Sequence, residues 1–246
     1  MKSKKNILKC AVFLVFNLLI VNVHAFSFTP TEIEFLQWPH YCKAMYARTQ
    51  IAQRNGFWKR VSKSEADKWF RIGDKNGGAW HYCSGLTKLD RAKIATDPNK
   101  REQLFRAAHY AAKFSLDRTD TSSPWAAMFL IHMARAHRGL EEYDKGIKLL
   151  EVVFKKHPDN TNAYSLASLI YKDQKKFKKA RDILLQGDEI AKGNSAEIKY
   201  FLGLVSIDLK EIVEAKKYAK QAAKLGYPLT GLSTKISELE NNEKNK

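Results

Sequence analysis

Eight positions of this 246-residue chain recur with matched side-chain size, and that recurrence limits the fold more than any other feature. In one copy they are Tyr164, Ala167, Ser168, Tyr171, Phe177, Ala180, Leu184 and Gly187. At an offset of 34 residues upstream stand Leu130, Met133, Ala134, His137, Tyr143, Gly146, Leu150 and Val153. At an offset of 35 downstream stand Lys199, Leu202, Gly203, Ser206, Ile212, Ala215, Ala219 and Ala222. Large meets large and small meets small, apart from the polar Lys199 and Ser206. Antiparallel helices approach closely only where small side chains sit at their crossing, and large ones then fill the space around it. The pattern therefore predicts three stacked helical hairpins.

Periodicity supports helices throughout. From Pro30 to about Leu239, apolar residues recur at three- and four-residue spacing, and strand signals are almost absent. Loop residues break the pattern at Asp74 to Gly78, Asp97-Pro98, Thr119 to Pro124, His157 to Asn160, Gly193-Asn194 and Gly226 to Pro228. A helix–turn–helix unit of this length with these large and small positions resembles the tetratricopeptide repeat. Pro158 falls at that family's inter-repeat proline, and Gly139 lies near the intra-repeat turn, displaced by about two residues. The resemblance implies an all-α fold: a right-handed α-α superhelix, preceded here by an irregular helical N-terminal cap. Two residues depart from the pattern. Lys192 replaces the repeat-ending proline of the middle unit. Lys199 replaces an aromatic of the third unit, which is expected to weaken that interface or mark the end of the stack.

The chain divides into four segments. Residues 1–25 read as a signal peptide: Lys2, Lys4, Lys5 and Lys9 precede a mostly apolar run from Cys10 to Val21, and Val23-His24-Ala25 supplies small residues for a peptidase. The run is shorter than the roughly 20 residues of a spanning helix, although an uncleaved anchor remains an alternative. Residues 26–120 form the cap, in which Trp80–Ile94 and Asn99–Leu116 read as a helix pair and a candidate degenerate repeat. Residues 121–239 hold the three repeats and a capping helix, Pro228–Leu239. The apolar-free end, 240–246, is expected to be disordered. Cleavage near Ala25 implies a periplasmic or secreted protein.

Within the cap, Trp38-Pro-His-Tyr-Cys42 is echoed by Trp80-His-Tyr-Cys83, with Ser84-Gly-Leu after it. This looks like a group of bacterial exported repeat proteins with a WP-x-YC opening and an HYC-x-GL helix, a resemblance that carries no activity with it. After cleavage Cys42 and Cys83 are the two cysteines left, and an even count in an oxidising compartment reads as one disulfide. The alternatives are two buried thiols, or a zinc site with His40 and His81. Residues i and i+2 of a helix point about 200° apart, which sets His and Cys at this spacing against a common metal ion.

Catalytic patterns are missing: no G-x-S-x-G, no H-E-x-x-H, no Gly-rich phosphate loop. His109, His132 and His137 read as structural, His132 off the packing face and His137 in place of a packing aromatic. No cofactor is expected. An enzymatic reading would have to use the Trp-, His- and Tyr-rich cap. Net charge is +17, or +13 once the four signal lysines are gone (39 Lys and Arg against 26 Asp and Glu). This favours acidic partners. Nucleic acid would suit the charge but not the export signal.

In stacked hairpins of this kind the first helices line a concave side. The positions left over from packing are Met128, Ile131, Arg135 and Arg138 in the first unit. They are Asn162, Ser165, Leu169, Lys172 and Asp173 in the second, and Glu197, Tyr200, Leu204, Ile207 and Asp208 in the third. Apolar, basic and hydrogen-bonding groups in that mix suit a protein or peptide partner in the cell envelope. A second reading is an anionic polymer or membrane surface docking on lysine runs such as Lys175 to Lys179 and Lys216-Lys217 of the second helices.

Overall fold

The computed structural model describes residues 27–244, so the proposed signal segment and its Cys10 lie outside the described residues. Thirteen α-helices and one 3-10 turn make up the described chain. The cap contains α1 (Glu32–Gln37), α2 (His40–Ala47), α3 (Gln50–Asn55), the 3-10 turn Phe57–Arg60 and α4 (Lys63–Lys75). Four hairpins come next: α5 (Trp80–Ile94) with α6 (Pro98–Leu116), α7 (Pro124–Gly139) with α8 (Tyr143–Lys156), α9 (Thr161–Asp173) with α10 (Phe177–Ile190), and α11 (Ala196–Asp208) with α12 (Ile212–Lys224). The last helix is α13 (Gly231–Lys244). From α5 onward each helix packs on its neighbour in sequence, giving an all-α stack of hairpins of tetratricopeptide-like architecture.

Local chemistry starts many of these helices. Thr31, Thr49, Ser62, Asp97, Ser123 and Ser195 each accept a first-turn backbone N–H, which satisfies donors that helix geometry leaves without partners. Pro98 and Pro124 occupy first helical positions, where a missing N–H costs nothing.

The small positions act as the repeat pattern requires. A Cβ added to Gly187 would lie 2.7 Å from the Cβ of Tyr164, so α9 and α10 cross at backbone distance there. Ala134, Ala167, Leu150, Val153 and Ile170 form one buried cluster, and Ala180, Leu184, Leu202 and Val205 the next. Leu232 and Ile236 of α13 close the last exposed face against Ala215. Helix α13 runs beyond the expected boundary at Leu239, through residues expected to be disordered. Lys216 of α12 pairs with Glu240, so charge continues the contact after the apolar residues stop.

The cap is held by an aromatic core of Phe35, Trp38 and Tyr46 around Cys42 and Cys83. The two cysteines form a disulfide, with Cα atoms 5.6 Å apart and both residues fully buried. Trp38 donates its indole N–H to Thr87 (2.8 Å), and Arg91 grips Glu34 through two bonds of 2.6 and 2.7 Å. These contacts fasten α1 and α2 to α5. The duplicated His-Tyr-Cys motifs thus meet: the cysteines bond covalently and Tyr41 hydrogen-bonds Tyr82. The histidines diverge, His40 to Glu65 and His81 onto the ring of Phe114 (4.1 Å).

Candidate partner-binding groove

The first helices α5, α7, α9 and α11, then α13, touch one another in succession along one side of the stack. The second helices make no comparable row, so the first helices form the inner wall. A cleft of about 510 Å³ opens on that wall where α5, α7 and α9 meet. Its floor is apolar: Leu86 and Leu89 of α5, Phe105 of α6, Leu166 and Leu169 of α9. Its rim is charged: Asp90, Lys93, Arg135, Arg138, Glu141 and Asp173. Gly139 makes this floor, because any Cβ at that position would overlap the Phe105 ring.

Charges on the wall pair across successive repeats. Arg138 bonds Asp173 at 2.6 and 3.1 Å, and Lys172 pairs with Asp208. Both pairs join the last turns of neighbouring first helices, so they align the repeats and are not free for a ligand. Arg135 is exposed and makes no hydrogen bond or ion pair among the described residues.

Of the fourteen positions read as groove-facing, Lys172 and Asp208 are the interrepeat pair just described, and the other twelve divide into four groups. Arg135, Arg138, Leu169 and Asp173 line the cleft. Met128 packs against the cap core, and Tyr200, Leu204 and Ile207 pack under α13, with Tyr200 stacked on Tyr227 at 4.4 Å. Ile131 (4 % exposed) and Ser165 (3 % exposed) are buried, which removes them from the accessible surface. They lie where neighbouring first helices touch, and a 34-residue pattern does not show how closely those helices pack. Asn162 remains exposed, and Glu197 is half-buried. Burial raises the Glu197 carboxyl above its usual range, against the pull of the Arg135 charge. The α5–α6 contribution was missed: Leu86, Leu89, Asp90, Lys93 and Phe105. Placing Gly85 in register with Ala134 would have found it, since both are small residues at first-helix crossings.

A histidine group lies behind this wall. His132, expected off the packing face, is instead fully buried between α5, α6 and α7, against Tyr82 (5.0 Å). Neither of its nitrogens has a well-formed hydrogen bond, although the backbone of Ala108 lies beside it. Desolvation drops its pKa to about 3, so the ring is neutral at ordinary pH. His109 meets His137 at 4.7 Å, and His137 bonds Glu142 at 2.7 Å. No group of three or more potential metal ligands gathers among the described residues.

Stacked hairpins, a continuous first-helix wall and a terminal covering helix define an all-α fold of stacked helical hairpins, tetratricopeptide-like in architecture. No protein-family model matches the sequence, and no curated protein does. Among solved structures, the chain is similar to the MamA RS-1 ArsTM double mutant at 18 % identity and a TM-score of 0.47, over 74 % of this chain and 94 % of that one. It is similar to TTC0263, a thermophilic TPR protein of Thermus thermophilus, at 13 % identity and 0.46, over 65 % and 90 %. It also resembles the MamA D159K mutant 1 at 16 % identity and 0.38, over 80 % and 99 %.

Proposed function

We propose that this protein is an exported, non-catalytic scaffold of the bacterial cell envelope that holds a segment of another protein in the groove along α5, α7 and α9. The cleft carries the reading: an apolar floor ringed by charges suits an extended segment that buries one large side chain and orients its polar groups on the rim. A non-catalytic role is supported by His132, which is sealed from solvent and neutral. Export is supported by the first 25 residues of the sequence.

Site-specific photocrosslinking in the native envelope tests this. A photoreactive side chain at Leu169 should capture a discrete protein, while one at Lys178 on the outer α10 should not. Equal capture at both positions, or none at Leu169, would reject the groove. N-terminal sequencing of the purified envelope fraction should begin at Phe26, and a chain found only unprocessed in the cytoplasm would reject export. Release of the protein by salt, with no dependence on Leu169, would favour polymer binding through Lys175, Lys178 and Lys179.

A further inference from the structure

Glu141 at the cleft rim makes no ion pair among the described residues, and two further charges of opposite sign on the first helices are likewise unused. Arg135 belongs to α7 and Glu197 to the first turn of α11, and α9 packs against both helices. Neither makes a hydrogen bond or an ion pair among the described residues, whereas Arg138, Asp173, Lys172 and Asp208 are consumed in pairs. The two are close enough for the Arg135 charge to act on the Glu197 carboxyl, yet they do not meet. On α9, Ser165 has its hydroxyl buried and lacking a hydrogen-bond partner. A half-buried carboxylate without a counter-charge has lost solvation that a cation from outside would restore. An exposed guanidinium beside an apolar cleft offers five donors to a carboxylate.

We propose that Arg135 and Glu197 are the two poles of a charge clamp, so that the groove selects a partner segment bearing one acidic and one basic side chain in a fixed order. This rests on the groove reading and refines it. The excess of Lys and Arg favours acidic partners in general, but a uniformly acidic segment would set a like charge against Glu197. The apolar anchor enters the cleft between α5, α7 and α9, the segment's acid pairs with Arg135, and its base crosses α9 to Glu197.

The test uses fluorescein-labelled twelve-residue peptides with a central leucine anchor and flanks that are all-Asp, all-Lys, all-Ser, Asp-then-Lys or Lys-then-Asp. Fluorescence anisotropy with the full processed protein should show one mixed order bound about tenfold more tightly than any uniform peptide. Glu197→Gln should abolish the advantage of the basic flank and Arg135→Gln that of the acidic flank. The double exchange of Arg135→Glu with Glu197→Arg should invert the preferred order. Equal wild-type binding of all-Asp and mixed peptides, or an unchanged ranking in Glu197→Gln, would overturn the clamp while leaving the groove intact. Failure of wild-type protein to bind any peptide would overturn the groove and the clamp with it. Thermal melts of each variant confirm folding, which both solvent-accessible positions should tolerate.

Discussion

At the ends of α7, α9 and α11 the backbone turns left-handed on side chains: Glu141 (φ 58°), Lys175 (φ 58°) and Lys210 (φ 64°). Each position donates to a carbonyl three residues back, and the next residue donates to one five residues back, as in Glu142 to His137 (2.9 Å), Lys176 to Tyr171 (2.8 Å) and Glu211 to Ser206 (2.8 Å). This closure usually employs glycine, because a Cβ in that conformation costs about 1–2 kcal/mol. Lys175→Gly and Lys210→Gly should therefore each raise the unfolding free energy by about 0.5–1 kcal/mol after the extra chain entropy of glycine. Urea titration at constant slope measures it. The same logic explains Lys192, which stands where the repeat pattern has proline: its φ of 50° is closed to a ring fixed near −65°. Lys199, in place of an aromatic, is accommodated by a charge partner. It is 9 % exposed, lies in the last hairpin before the covering α13, and its amine bonds Asp188 of α10 at 2.6 Å. The Lys175 and Lys210 turns were hidden from a Gly and Pro survey because neither carries either residue, whereas Gly139 at the end of α7 marks the first.

Among the elements, the helices of the repeats were legible because their apolar spacing is helical and their caps are local. Small shifts remained at the ends: α6 begins at Pro98, and α13 covers Gly231–Lys244. The cap was less legible. Its short α1 to α3 make few contacts of their own and depend on α5, through Trp38 to Thr87, Glu34 to Arg91 and Cys42 to Cys83. The disulfide closes a separation of 41 residues, for which loop entropy gives about 4 kcal/mol. Replacing Cys42 and Cys83 by alanine should lower stability by about that amount or less. Amide exchange should quicken in α1 and α2 while α9 to α12 stay protected. Uniform loss of protection across all helices would show instead that cap and repeats unfold as one unit.

For the whole molecule, buried imidazoles set an acid limit. His81 and His109 fall to about 4 and His132 to about 3, from an ordinary 6.5, chiefly because burial penalises the charged ring. The unfolded chain takes up these protons first, so their contribution is complete above pH 6.5 and is lost as pH falls toward 4. Glu34, held at about 2 by the Arg91 hydrogen bonds, adds a second loss between about 4.5 and 2. Denaturant midpoints across pH 3–8 should fall steeply below pH 6.5. His132→Leu should flatten that fall and raise the neutral-pH midpoint, because it removes two buried nitrogens without bonds. An unchanged profile in His132→Leu would place the acid sensitivity elsewhere.

The repeat fold was determined by the sequence itself, because packing size at a crossing and apolar spacing along a helix are local properties that recur every 34 or 35 residues. The pairing of two cysteines was readable from their number. Which wall residues remain free was decided only in three dimensions. Arg138, Lys172 and their carboxylates look like groove charges in one dimension and are interrepeat ties in three. Tyr200 and Ile207 lie beneath a helix that starts only at Gly231, beyond the whole of α12. Arg135 and Glu197 stand on hairpins that are not consecutive, and their relation to each other is set by the packing of α7 and α11 on the two sides of the intervening hairpin's α9.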